Sequence, residues 1–181
     1  MRELLFDLFA KAVQDFYRRE QRNLELDVHE VCHAHRLAIY LEQELRTYDN
    51  LNCTCLFYDY SVDLEFNRTE DGDIKKLPDK DENLHNIRCD ILVHSKGKNK
   101  ERENLLLIEL KKEDGDDEGK DQERLKMMVS PDPDNSNNPI YNTLLGIFLK
   151  ISRTGCTGTK YWYENGGAQE KNFEWTHQRE W

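Results

Sequence analysis

Asn104-Leu105-Leu106-Leu107-Ile108-Glu109-Leu110-Lys111-Lys112 reads as a strand buried on both faces, with a carboxylate and an ammonium set into the end of its apolar run. Charge is costly to bury unless it is paired, so packing alone does not explain this choice of residues. Side chains alternate across a strand, which puts Glu109 and Lys111 on one face, close enough to share a metal ion or a phosphate. The preceding run, Arg88-Cys89-Asp90-Ile91-Leu92-Val93-His94, reads as an antiparallel neighbour. In that pairing Asp90, at the start of one strand, faces the end of the other, where Glu109 sits.

Working outward, Leu4, Leu5, Leu8, Phe9, Val13, Phe16 and Tyr17 recur at helical spacing and predict an amphipathic opening helix that ends in the charged segment 18–23. A second helix is expected from the capping pair Asp27 and Glu30 to Leu45, with Tyr48-Asp49-Asn50 breaking the pattern. On it Glu30 shares a face with Ala34, Leu37 and Leu41 and so points toward the core. Residues 55–66 favour a strand, 69–83 a solvated loop, 120–129 a short helix and 131–139 a loop. Leu144 to Ile151 reads as a buried strand, and Gly155-Cys156-Thr157-Gly158 as a turn into a further strand from Thr159. The sum is one α/β domain over 1–181, a central mixed β-sheet flanked by helices. Glu30's helix is expected on one face and the 120–129 helix on another side of the core.

The 181 residues suffice for one core, and the 34% charged fraction with net charge −10 describes a heavily solvated surface. That balance excludes a generally basic nucleic-acid module, since backbone affinity comes largely from Lys and Arg neutralising phosphates. A local basic strip is still compatible with it. The densest one, Lys96-Gly97-Lys98-Asn99-Lys100-Glu101-Arg102, joins the two central strands and is expected close to Asp90 and Glu109. Five cysteines without regular spacing cannot form a complete disulfide framework and fit free thiols in a reducing compartment. The N-terminus carries acids within its apolar stretch and no small-residue cleavage site, and no run approaches membrane-spanning length. A cytoplasmic protein with no membrane association is the expectation.

Asp90, the long gap and the triplet Glu109-Leu110-Lys111 resemble the core of the PD-(D/E)xK nuclease superfamily, with Cys89 where the signature has proline. Residues 30–41 look like the acidic first helix, and residues 62–68 like the first core strand, of an uncharacterised bacterial branch of that superfamily. The resemblance implies a restriction-endonuclease-like fold and metal-dependent phosphodiester hydrolysis of nucleic acid, DNA foremost. Its catalytic residues would be Asp90, Glu109 and Lys111, with Glu30 completing the site from its helix. Mg²⁺ or Mn²⁺ would be held by Asp90, Glu109, the backbone carbonyl of Leu110 and Glu30, all hard oxygen ligands. Lys111 would orient the metal-activated water or stabilise charge building on the phosphorane. His35 and Arg36 on the helix, and Lys96, Lys98, Lys100 and Arg102 on the basic connection, are the candidate nucleic-acid contacts, and a homodimer or a protein partner is open.

Other readings stand beside this one. His29-Glu30-Val31-Cys32-His33 matches H-E-x-x-H, in which two histidines one turn apart hold the zinc of a peptidase, but no third ligand follows. Cys32, Cys53, Cys55 and Cys89 lack the paired spacing of a structural zinc site. The nuclease fold could also serve as a catalytically inactive interaction subunit, a role that the acidic surface suits. Taken singly, Asp90 reads as a turn residue, Glu109 and Lys111 as a rim salt bridge, and the basic connection as a solubilising hairpin tip.

Overall fold

The computed structural model describes residues 1–66, 76–78, 84–86, 88–99, 102–113, 118–131 and 141–177. The opening helix, α1 (Arg2–Arg19), buries Leu5, Leu8, Phe9, Ala12, Val13, Phe16 and Tyr17, which fall on one stripe at the expected spacing. It ends in Arg18 and Arg19, cations that suit the negative end of the helix dipole. A single-turn helix, α2 (Gln21–Glu25), leads to α3 (Glu30–Asn52).

The start of α3 departs from the expected cap. His29 is the N-cap, its Nδ1 accepting the Val31 amide at 3.3 Å, while Asp27 turns the chain in the left-handed region at φ 52°. The Asp27–Glu30 capping pair therefore does not form. Asp27 pairs with Lys112 Nζ at 2.6 Å, and Glu30 Oε2 accepts the Lys112 amide at 3.2 Å, so both acids are drawn to the sheet instead. Nor does Tyr48-Asp49-Asn50 end the helix. The chain runs on to Asn52 and stops at Cys53, φ 52°, a left-handed C-cap. Asp49 is buried because its carboxylate organises the chain beyond the helix, accepting Thr54 Oγ1 at 2.7 Å and the amides of Leu56 and Phe57 at 2.9 and 2.8 Å. Arg46 donates to the carbonyls of Phe57 and Tyr60, both at 2.5 Å. These bonds wind 55–60 into turns, and the strand expected over 55–66 shrinks to β1 (Ser61–Leu64).

Within the expected 69–83 loop, β2 (Lys76–Pro78) pairs antiparallel with β3 (Leu84–Asn86), and the rest lies outside the described residues. Then come β4 (Ile91–His94), β5 (Asn104–Lys112), α4 (Glu118–Val129), β6 (Leu145–Ile151), β7 (Gly155–Glu164) and β8 (Gly167–Thr176). The loop expected over 131–139 falls outside the described residues except for Pro131. Six strands form one sheet in the order β1-β4-β5-β6-β7-β8. Among the described residues only β5 and β6 run parallel, with α4 as the crossover between them, so the sheet is mixed as anticipated.

Gly155 to Gly158 is not a turn. The β6–β7 reversal lies one step earlier, closed by the Ser152 amide on the Gly155 carbonyl at 2.9 Å, and β7 runs straight through both glycines. Gly158 serves close approach: a Cβ there would lie 2.4 Å from the Phe148 carbonyl oxygen and from the Phe173 ring. That ring crosses β7 to meet Phe6 at 5.3 Å and Trp175 at 4.6 Å between centroids, which fastens α1 to the far end of the sheet. The β7–β8 hairpin turns on Asn165-Gly166, φ 54° and 82°, a two-residue loop whose right-handed twist matches the strands.

Packing divides the interior into two layers. One holds α1 and α3 side chains against Ile91, Val93, Leu106, Ile108, Leu110, Ile147 and Leu149. The other holds Leu125, Met128 and Val129 of α4 against Leu92, Leu107, Phe148 and Tyr161. By alternation along β5, Glu109 and Lys111 share the α4 face with Leu107, while Leu110 and Lys112 belong to the α3 face. All five cysteines are free thiols, and among the described residues no helix is long and apolar enough to cross a membrane.

Candidate functional site

Four elements meet at the C-terminal end of β5. Ile91 pairs with Ile108, so continuing that register puts Asp90, one residue ahead of β4, across from Glu109. The Leu110 amide donates to Asp90 Oδ2 at 2.7 Å, which fixes the carboxylate beside the strand end. Amide and carbonyl of one strand residue point to the same side, so the Leu110 carbonyl also faces Asp90. Glu30 enters from the first turn of α3, and Lys111 spans two acids, 3.5 Å from Glu30 Oε1 and 3.3 Å from Asp121 Oδ2 of α4. Arg124, one turn along α4, sets a single nitrogen, Nη2, at 2.8 Å from both Glu109 Oε1 and Asp121 Oδ1.

Thus Glu30, Asp90, Glu109 and Lys111 do come together, and Leu110 with them. Asp121 and Arg124 were missed. Their signal was present: Asp121, Leu125 and Met128 follow i, i+4, i+7 spacing, which places an acid on the apolar stripe of α4. Asp121 is 7% exposed and Glu109 2%.

The electrostatics reflect that burial. Loss of solvent drives the Glu109 carboxyl up to about 8; Arg124 opposes the shift, and the charges of Asp90 and Asp121 add to it. Asp90 is raised chiefly by burial, with the Leu110 amide opposing and Glu30 reinforcing. Burial pulls Lys111 down, but Asp121 and Glu30 more than offset it and the ammonium is held above its ordinary value. Arg124 behaves alike, stabilised by Glu109 and Asp121. Four acids thus face two side-chain cations. Oxygen donors of this kind suit a hard divalent ion. In the present side-chain arrangement, however, no group of three acid, imidazole or thiol side chains among the described residues stands ready to hold one. Lys111 and Arg124 already engage Glu30, Glu109 and Asp121.

The expected nucleic-acid contacts lie elsewhere. The connection 95–103 joins the end of β4 to the start of β5, whereas Asp90 and Glu109 mark the other end of the same hairpin. From Asn104 to Glu109 the strand covers roughly 16 Å. Lys96 pairs with Asp63 at 2.7 Å and Lys98 with Asp59 at 3.8 Å. Arg102 is exposed at this remote tip and Lys100 lies outside the described residues. Asp63 also accepts from His94, and Glu65 pairs with Arg88, so neither acid turns to the site. On α3, Arg36 is tied to Glu20 at 2.6 Å and to the Tyr40 hydroxyl at 3.0 Å, a bridge between helices, and His35 is exposed.

The H-E-x-x-H match does not form a zinc site. His29 precedes the helix and is exposed, while His33 is 2% exposed, its ring edge-on to Phe16 at 5.7 Å and its pKa pushed down by burial. The motif needs both rings on one helical face, and the cap puts one of them outside the helix.

No protein-family model matches the chain, and no curated protein and no solved structure matches it either.

Proposed function

We propose that the protein is a metal-dependent nuclease with a restriction-endonuclease-like core, cleaving phosphodiester bonds at the junction of β4, β5, α3 and α4. The observation that carries the reading is the convergence of Asp90, Glu109 and Lys111 at adjoining strand ends, joined by Glu30 from a helix on the opposite layer. A rim salt bridge would require none of this. It would leave Glu109 in solvent rather than buried, and would not recruit acids from two further elements.

Asp90, Glu109, Glu30 and the Leu110 carbonyl are the proposed ligands of Mg²⁺ or Mn²⁺, which supplies Lewis-acid polarisation of the phosphate and lowers the pKa of a bound water. Lys111 stays charged among the acids and is placed to stabilise negative charge as it builds on the phosphorane. Glu109 and Asp121 are buried, and the lower dielectric there strengthens the interactions that they make.

A second reading, an inactive nuclease fold used for binding, is favoured by one feature: Arg124 and Lys111 already engage Glu109, Asp121 and Glu30. The test is cleavage of plasmid, single-stranded DNA and RNA in Mg²⁺ or Mn²⁺, with EDTA and Asp90→Asn as controls. The expected result is cutting that vanishes in both controls. Intact substrates under every metal condition would overturn the enzymatic reading in favour of the binding fold.

A further inference from the structure

The contact between Arg124 and the acids has an unusual form. Arginine commonly meets a carboxylate through two parallel N–H bonds, one from each of two nitrogens. Here one nitrogen serves two different carboxylates, Glu109 Oε1 and Asp121 Oδ1, each at 2.8 Å. Among the described residues Arg124 Nε is buried with no acceptor, so the guanidinium is held at one corner while another donor is left unsatisfied. Two oxygens drawn equally close to one positive point describe the first requirement of a hard-cation site, where ligand oxygens converge to within about 2.0–2.6 Å.

We infer that Arg124 is a resident placeholder for the metal: its Nη2 occupies the point shared by Glu109 and Asp121, Asp121 is itself a ligand, and the ion enters by displacing that nitrogen. This rests on the metal-dependent reading above and extends it to α4. A divalent ion brings two charges to the same oxygens, and the guanidinium that it displaces, its side chain 31% exposed, turns its freed donors to solvent. The placeholder ties Glu109 to Asp121 before metal arrives, at the cost of dividing the apparent affinity among the sites that it leaves free. Lys111 does not play this part, because it bridges Glu30 and Asp121 without an interaction at Glu109.

The test is calorimetric titration of the whole protein with Mn²⁺ alone, at one pH and ionic strength, paired with thermal melts in EDTA and in Mn²⁺. Arg124→Gln is expected to bind Mn²⁺ about tenfold tighter or better, since the competitor is gone. The same variant is expected to melt lower in EDTA and to gain more than the unmodified protein on adding Mn²⁺. Asp121→Asn should lose affinity by on the order of tenfold or more. Arg124→Lys, which restores the charge, should bind Mn²⁺ close to the unmodified protein, and together with the loss in Asp121→Asn it decides the matter should Arg124→Gln fail to fold. Mn²⁺ binding that depends on Asp90 but is indifferent to both Arg124 and Asp121 would overturn the placeholder and leave the nuclease reading intact. No Mn²⁺ binding in any form of the protein would overturn both.

Discussion

Glu109 is the residue at which burial and charge are most opposed. With its carboxyl raised to about 8 in the folded protein against an ordinary value of 4.5, the folded chain keeps a proton that the unfolded chain has lost over that interval. Stability in EDTA should therefore fall as pH rises from about 4.5 to 8 and level off above it. Glu109→Gln removes the ionisation and should flatten this slope. Thermal melts from pH 5 to 9 should show the variant more stable than the unmodified protein at pH 9, because each unit by which burial raises the carboxyl corresponds to about 1.4 kcal/mol lost on ionisation. A slope unchanged by Glu109→Gln would assign the effect to other groups. Lys111 gives the complementary case. Lys111→Met should retain the fold and, on the proposed nuclease reading, lower cleavage by on the order of a hundredfold or more while substrate binding changes little, because that reading has its charge act on the transition state. Lys112→Met is the control: its ammonium meets Asp27 on the other layer, and it should cut almost normally. Equal rates in the two variants would remove Lys111 from the chemistry.

Among the elements, α4 is the one whose placement makes the site. It lies low on the sheet because Gly146, between Leu107 and Tyr161 in the strand register, offers no side chain beneath it. A Cβ at Gly146 would sit 3.2 Å from Val129 and 3.4 Å from Leu125. Gly146→Ala therefore asks only a few tenths of an ångström of movement, whereas Gly146→Val should lift the helix and cost about 1–3 kcal/mol by overpacking. Because Asp121 and Arg124 ride on that helix, Gly146→Val is also expected to weaken Mn²⁺ binding without altering any ligand. Denaturant melts and a Mn²⁺ titration on the folded variant check the two effects; full stability with unchanged binding would show that α4 does not depend on this close approach. The helix itself was legible from its apolar stripe. Its acid and its arginine were not read as part of the site, because a charged residue at the edge of a stripe looks the same in sequence whether it meets solvent or a buried carboxylate.

At the scale of the molecule, the sheet separates two clusters of charge. The acids and cations of the site gather where β5 ends, and the basic connection between β4 and β5 starts from the opposite end, with Lys96 paired with Asp63 and Lys98 with Asp59. Lys96→Ala with Lys98→Ala should therefore leave both substrate affinity and its salt dependence nearly unchanged, since neither ammonium is near the proposed scissile phosphate. Filter binding over a range of salt concentrations checks this. A clear loss of affinity with a flatter salt slope would mean that the substrate reaches across to the hairpin tip. Exposed pairs of this kind contribute little to stability, so the same variant should melt within about 1 kcal/mol of the unmodified protein.

The sequence by itself determined the α/β class, the two central strands and the juxtaposition of Asp90 with Glu109, because a period of two and an apolar run leave little choice of face or partner. It also contained the remoteness of the basic connection, which follows once the strands are antiparallel: a hairpin loop joins the ends away from Asp90 and Glu109. Only the tertiary structure decided the caps and the far half of the site. His29 rather than Asp27 caps α3 because Lys112, distant in sequence, draws both Asp27 and Glu30 to the sheet. Asp49 is buried in the last turn of a helix that runs on to Asn52, because residues 54–57 fold back onto its carboxylate. Asp121 and Arg124 reach Glu109 because the β5–α4–β6 crossover brings one helix down over one glycine. Periodicity reports which side of an element is apolar, but the partner of a charge on that side is set by the depth and rotation of packing between elements far apart in the chain.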